Sequence, residues 1–143
     1  MRVASEYRLR RRVQFHETDT AGIVHFSWFY RYMGEAEHAL WRSVGLSIAP
    51  RDAAVGFPRV AASFDFHRPL RFEDEFEVHI RIARVGEKSI RYATEVTKDG
   101  HAVATGSLTV ACIDKRPGAP FRSTPIPSEI AGRFEVAAPS AEA

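Results

Sequence analysis

The chain has a single cysteine, Cys112, among its 143 residues. That excludes an intramolecular disulfide and any cysteine cage around a metal, and it fits a reducing compartment. Long apolar runs are missing as well. Residues 1 to 15 alternate charged and apolar side chains where a signal peptide needs a continuous apolar stretch, and no run elsewhere is long enough to span a bilayer. A soluble, cytoplasmic protein without membrane insertion is expected. Charge of one sign is scarce: 20 Lys and Arg face 18 Asp and Glu, leaving +2, too small an excess to indicate nucleic acid. The basic run from Arg8 to Arg12 encloses Leu9 and reads more simply as the outer face of a strand. There is no Gly-x-Ser-x-Gly elbow and no phosphate-binding glycine loop. His16-Glu17 opens like a zinc-protease motif, but Thr20 stands where the second His is needed. Neither a metal nor another cofactor is expected.

What is present suits one compact domain, with 45% hydrophobic residues in a chain of this length. Tyr7, Leu9, Val13 and Phe15 fall on one parity, and Arg8, Arg10, Arg12 and Gln14 on the other, the period of a half-buried strand. The turn-rich stretch Glu17 to Gly22 breaks that period. Phe29, Tyr32, Met33, Ala36, Leu40 and Val44 then recur at three- and four-residue spacing, which predicts an amphipathic helix from about Phe26 to Val44, stopped by Gly45.

Beyond a loop holding Pro50, Gly56 and Pro58, alternation returns in four runs: Val60 to Phe66, Phe76 to Ile82, Ile90 to Val96 and Ala102 to Val110. Gly86-Glu87-Lys88 and Lys98-Asp99-Gly100-His101 have the composition of hairpin turns between the last three. One strand, one long helix and a meander of four strands make an α+β pattern, in which the helix covers one face of an antiparallel sheet. Residues 1–116 are expected to form the domain, with Cys112 at a buried strand position. Residues 117–143 carry Pro117, Pro120, Pro125, Pro127 and Pro139. They are expected to form a tail packing on the domain, with one helical turn around Ser128 to Phe134 and disorder from Ala137 to Ala143.

The stretch Phe15-His16-Glu17-Thr18-Asp19-Thr20-Ala21-Gly22-Ile23-Val24-His25-Phe26 carries most of the chemistry. It sets a carboxylate in a tight turn just ahead of a long helix, whose first N–H groups have no partners inside the helix. A helix start of this kind can hold a carbonyl oxygen as it gains charge, while a carboxylate attacks the carbonyl or activates water. Thioester hydrolysis needs both parts. On its own, an Asp before a helix is more often an N-cap or Asx-turn residue.

The motif Asp-x-x-Gly-(Ile/Val)-Val with a following His or aromatic, Asp19 to Phe26, leads into the aromatic helix with an acidic centre, Phe29 to Ala36. With Phe66-His67-Arg68-Pro69-Leu70-Arg71-Phe72-Glu73-Asp74, this order and spacing resembles the hotdog-fold thioesterases of the 4-hydroxybenzoyl-CoA thioesterase and YbgC type over nearly the whole chain. The resemblance implies a five-stranded antiparallel sheet wrapped around one long helix and hydrolysis of an acyl-CoA thioester to acid and CoA. It implies that Asp19 is nucleophile or general base and that the Phe26 N–H polarises the carbonyl. Gly22 matches the family glycine, where the absence of a side chain lets substrate approach the backbone.

His25 is read in two ways, as a group that orients the thioester or tunes Asp19, or as a histidine packing at the helix start. Glu35 is read as satisfying buried polar groups. Lys88 and Ser89, with Arg68 and Arg84 as further cations, match places where relatives hold the CoA phosphates and pantetheine; a solvated turn lysine is the plain alternative for Lys88. The resemblance further implies a homo-oligomer, dimer or tetramer, with the site at the subunit interface. Two rival functions are a hydratase or dehydratase using His25 and Glu35, and a module that only binds acyl-CoA. For the acyl pocket Trp28, Phe29, Phe57 and Phe64 are candidates, although Trp28 and Trp41 also read as packing.

Overall fold

A computed structural model describes residues 2–138 of the chain. Strand β1 (Glu6–Arg12) is followed by a short 3-10 turn (Phe15–Glu17) and helix α1 (Phe26–Ser43). Next come β2 (Val55–Gly56), β3 (Arg59–Phe66), β4 (Glu75–Val85), β5 (Ser89–Lys98), β6 (His101–Ala111), β7 (Ile113–Asp114) and the one-turn helix α2 (Ser128–Ala131). Five strands make one antiparallel sheet in the order β1-β4-β5-β6-β3.

Period-two patterning sends one row of side chains to the inner face. Leu9, Val78, Val96 and Ala104 lie abreast across four strands, as do Tyr7, Ile80, Thr94, Gly106 and Phe64 across five. Onto these rows α1 lays Phe29, Tyr32, Met33, Ala36 and Leu40, all buried. Each large apolar side chain so buried contributes about 1.5–3 kcal/mol. Trp41, also buried, anchors the far end of α1, its Nε1 donating to the Tyr92 hydroxyl at 3.0 Å. Gly45 stops the helix as its composition predicts, in the left-handed region at φ 82°. The β5–β6 hairpin turns on Asp99 and Gly100, both at positive φ, the pair that a two-residue hairpin with matching twist requires.

One expectation needs correction. Phe15 is not an inward strand residue but 74% exposed, because β1 ends at Arg12 and the 3-10 turn breaks the parity after Val13. The inward position between Leu9 and Val13 belongs to Arg11, a charged residue on the core side of the sheet. The two-residue ladder of β2 with β7 was not foreseen, being too short to leave a periodic trace. Cys112 is buried, just past the end of β6. In the tail, Ile126 and Phe134 are buried and Phe134 packs on Trp41 with ring centres 5.0 Å apart. The Ala137 N–H bonds to the Ile82 carbonyl at 2.9 Å. Of the disorder expected from Ala137 onward, residues 139–143 lie outside the described residues.

Strand β3 is the edge strand that α1 covers least, and Val60 and Phe66 are 60% and 47% exposed. Its first residue, Arg59, ties it to the helix by donating to the fully buried Glu37 of α1 at 2.8 Å. The second carboxylate oxygen of Glu37 is buried without a partner. Burial raises the pKa of this carboxyl above its ordinary 4.5, and the Arg59 charge offsets only part of that. A raised folded-state value means that stability is fully present below 4.5 and is lost as pH rises through the folded value, since the unfolded chain ionises freely and the folded one against resistance. Glu37→Gln removes this titration. The melting temperature of the variant minus that of the wild type is therefore expected to climb between pH 4 and 7, and a difference that stays flat over that range would contradict this reading of Glu37.

Candidate active site

The loop from Thr18 to Val24 is a small closed hairpin. Thr18 and Val24 bridge, the Asp19 N–H donates to the Ile23 carbonyl at 2.9 Å, and the Gly22 N–H returns to the Asp19 carbonyl at 2.9 Å. Asp19 Oδ1 accepts the Ala21 N–H at 2.8 Å, which is the Asx turn expected of an Asp in such a place. One carboxylate oxygen is thus engaged locally, and Oδ2 has no hydrogen bond among the described residues. Gly22 turns the loop at φ 78°, and a Cβ there would meet nothing within 4 Å. The backbone conformation, rather than crowding by this chain, is what calls for glycine.

His25 is the N-cap of α1. Its Nδ1 accepts the Ser27 N–H at 3.3 Å and lies 2.8 Å from the Ser27 hydroxyl, while its ring packs on Phe26 at 4.6 Å. In this arrangement it makes no hydrogen bond to Asp19. Phe26, the first residue of the helix, has an N–H with no acceptor among the described residues.

Asp19 and Phe26 lie on the same cleft of about 550 Å³, together with Val24, Phe29, Phe66, Arg68 and Leu70. Its walls are largely apolar, and the volume suits a small organic group. Phe66 approaches from β3, with its ring centre 5.1 Å from that of Phe29. A second cleft of about 600 Å³ lies on the other side of Phe26, lined by Tyr30, Arg31, Glu35, His38 and Arg59 among others. It is the more polar of the two in its lining side chains and holds no Asp19, so the first cleft is the candidate for acyl chemistry.

Of the residues singled out from the sequence, the fold brings Asp19, Phe26 and Arg68 to one cleft. Gly22 shapes the Asp19 turn, and His25 caps the helix beside it. Lys88 and Ser89 are elsewhere: Lys88 precedes β5 and Ser89 begins it, whereas Phe66 of the cleft is level with Val96, seven residues farther along β5 and so about 23 Å away. Arg68 also lines a neighbouring basic cleft of about 300 Å³ with Arg71, Lys98 and His101. Lys98 is paired there with Asp74 at 3.0 Å. Burial works against ionisation of the Asp74 carboxyl, but the Arg71 N–H and Lys98 overcome it and pull its pKa below the ordinary value.

Among the aromatic candidates, Phe29 lines the Asp19 cleft and Phe64 supports it from behind at 5.9 Å, but Trp28 faces the other cleft and Phe57 is core packing against Trp41. Phe66, Ile23 and Leu70 were not singled out as pocket residues. Their signal was present in alternation and turn position, but only the fold folds them onto Asp19. Among the described residues no three His, Cys, Asp or Glu side chains gather as a metal site, and no helix is long and apolar enough to cross a membrane.

Comparison with known proteins identifies the family. The sequence profile of the thioesterase-like superfamily matches residues 13–134. A 1,4-dihydroxy-2-naphthoyl-CoA hydrolase of Nostoc punctiforme is 32% identical over 106 residues, 73% of this chain and 72% of that protein. Among solved structures, a protein of Aquifex aeolicus superposes with a TM-score of 0.83 at 30% identity, covering 90% of this chain and 99% of that one. A gentisyl-coenzyme A thioesterase superposes with a TM-score of 0.79, also at 30% identity and with the same coverage. With the profile spanning most of the chain and the sheet and helix superposing on these structures, the chain belongs to the thioesterase-like superfamily and is a hotdog-fold acyl-CoA thioesterase.

Proposed function

We propose that Asp19 is the reacting carboxylate, that the Phe26 N–H at the start of α1 holds the oxyanion, and that the acyl group occupies the cleft between them. The observation that carries this reading is the shared cleft: one carboxylate with a free oxygen and one unpaired helix-start N–H on the same apolar pocket. Acting as a base, Asp19 takes a proton from water as the oxygen adds to the thioester carbonyl. The negative charge that develops on the carbonyl oxygen is met by the Phe26 N–H and the positive end of the helix. Collapse expels the CoA thiolate, which takes the proton back from the Asp19 carboxyl. Acting as a nucleophile, Asp19 adds to the carbonyl and the C–S bond breaks, giving a mixed anhydride and the CoA thiolate; water then cleaves the anhydride to the acid and the Asp19 carboxylate, and the thiolate takes a proton from water. The hydratase reading has less support, because His25 is engaged as a cap and Glu35 is bonded to Arg11.

An aromatic acyl group fits best. Phe29 and Phe66 line the cleft with their rings 5.1 Å apart, and relatives are named as a 1,4-dihydroxy-2-naphthoyl-CoA hydrolase and a gentisyl-coenzyme A thioesterase. Arg68 and the basic cleft behind it give the phosphate-bearing end of CoA a cationic surface. The test is thiol release by the purified protein across aromatic, short and long acyl-CoAs. Aromatic thioesters are expected to turn over with the highest kcat/KM; tight binding without thiol release on any of them would favour the binding-module reading.

The same reading makes the protein a homo-oligomer in a cytoplasmic setting. The outer edge of β3 has no strand partner among the described residues, and Val60 and Phe66 are exposed on it. If two copies join antiparallel through β3, the end of the partner that starts its β5 arrives beside Asp19. The partner subunit's Lys88 and Ser89 then stand about three strand spacings, or about 15 Å, from the β3 edge, the scale of an extended pantetheine arm. Sedimentation at micromolar protein is expected to give twice the 16.1 kDa chain mass or four times it. A stable, active monomer would remove the shared site.

A further inference from the structure

The cleft, the Asx turn and the helix cap leave one cluster of charges unused, centred on a buried carboxylate. Glu17 is fully buried two residues before Asp19 and has three donors on its carboxylate. Oε1 accepts the Gln14 N–H at 2.8 Å and the Tyr32 hydroxyl at 2.9 Å, and Oε2 accepts from Arg11 at 2.7 Å. Arg11 reaches Glu35 with its Nε at 2.7 Å and lies over the Tyr32 ring, 4.7 Å from its centre. His16 approaches the same carboxylate no closer than 4.0 Å. At the backbone, the Glu17 carbonyl accepts the His25 N–H at 2.9 Å.

These bonds place Glu17 at the base of the Asp19 hairpin. One side of its backbone closes the hairpin onto the residue that caps α1, and its side chain ties the same point to β1 through Arg11 and to the middle of α1 through Tyr32. We propose that Glu17 and Arg11 are positioning residues for the reaction, an internal ion pair that fixes the Asp19 turn relative to the start of α1. Neither touches the candidate acyl cleft.

A buried ion pair commonly adds little net stability over an apolar pair of the same volume, because both charges lose their water. What it supplies is direction: three donors converge on one carboxylate and leave it no second orientation. Burial and the Glu17 charge both push the Tyr32 hydroxyl well above its ordinary pKa, so it remains a donor throughout the working range. For Arg11, burial is the largest single influence and acts to lower its pKa, but Glu35 and Glu17 outweigh it and leave it raised. The catalytic consequence follows from geometry, since a displacement of about 1 Å at a reacting group can cost about a hundredfold in rate.

The kinetic half of the test rests on Asp19 as the reacting carboxylate; the structural half does not. Glu17→Gln keeps the volume but turns an amide donor toward Arg11. We expect kcat to fall about 10- to 100-fold with KM within about twofold. In a double-mutant cycle with Arg11→Met, the doubly substituted protein should lose no more kcat than the worse single variant. Amide hydrogen exchange should quicken about tenfold or more at Asp19, Gly22, Val24 and His25 in Glu17→Gln while the β5 and β6 amides keep their wild-type rates. Unchanged exchange at the turn, or exchange quickened equally in β5 and β6, overturns the proposal, as does a lower melting temperature with unaltered kcat. If the wild type hydrolyses no thioester, the reading of Asp19 fails, and the exchange rates alone decide the role of Glu17.

Discussion

Asp19→Asn is expected to lower kcat about 10³-fold, within the range of about 10²–10⁴ that a positioned general base contributes. That is about 4 kcal/mol of transition-state stabilisation. The substitution isolates the chemistry, because an asparagine Oδ1 can still accept the Ala21 N–H and keep the turn. Unfolding free energy should therefore change by no more than about 0.5 kcal/mol, as for an exposed residue whose local bonds survive. Thiol release and urea unfolding on the same preparation separate the two effects. Activity within tenfold of the wild type would mean that some other group activates the nucleophile. Loss of activity accompanied by loss of folding would leave the role of the carboxylate to an Asp19→Ser comparison.

The second large effect is expected at a residue outside the cleft lining. Gly106 sits on the inner face of β6 opposite Phe64 of β3. A Cβ at this position would collide with the Ser63 carbonyl oxygen and stand 2.7 Å and 2.9 Å from Phe64 Cδ1 and Cε1. The backbone oxygen cannot step aside without moving the strand, so Gly106→Ala is expected to cost about 1–3 kcal/mol, the usual range for overpacking. Phe64 also supports Phe29, which lines the Asp19 cleft. The same substitution should therefore raise KM for a bulky acyl-CoA more than for a small one. Urea unfolding and a KM comparison across acyl sizes check both parts. A variant as stable as the wild type would show that β3 can shift freely, and the cleft wall would then be less fixed than its packing suggests.

The two effects illustrate how unevenly the molecule can be read from its chain. Helix α1 was legible because Phe29, Tyr32, Met33, Ala36 and Leu40 all serve one interface, and the core enforces that spacing. The strands from β3 to β6 were legible for the same reason, since alternation is required wherever one face packs and the other is wet. The pattern failed at Phe15 and Arg11. Parity counted through Val13 makes Phe15 a core residue, but nothing in alternation reveals where a strand gives way to a 3-10 turn. Arg11 stands on the inward parity, where an arginine is unfavourable unless partners are supplied, and its partners Glu17 and Glu35 come from other elements. Lys88 and Ser89 show a further limit: turn composition puts them at the β4–β5 hairpin, but local spacing says nothing of how far that hairpin stands from the Asp19 cleft.

By itself the sequence determined the class of fold, the order of its elements and the turn that carries Asp19, because these follow from local spacing and from the backbone needs of residues such as Gly22 and Gly45. Only the tertiary structure decided that Phe66, Ile23 and Leu70 join Asp19 and Phe26 around one cleft, that His25 spends its ring nitrogen on the helix cap, and that a half-buried Arg11–Glu17 pair underlies the turn. Such contacts join residues distant in the chain, and their energies depend on burial and direction, which no local spacing encodes.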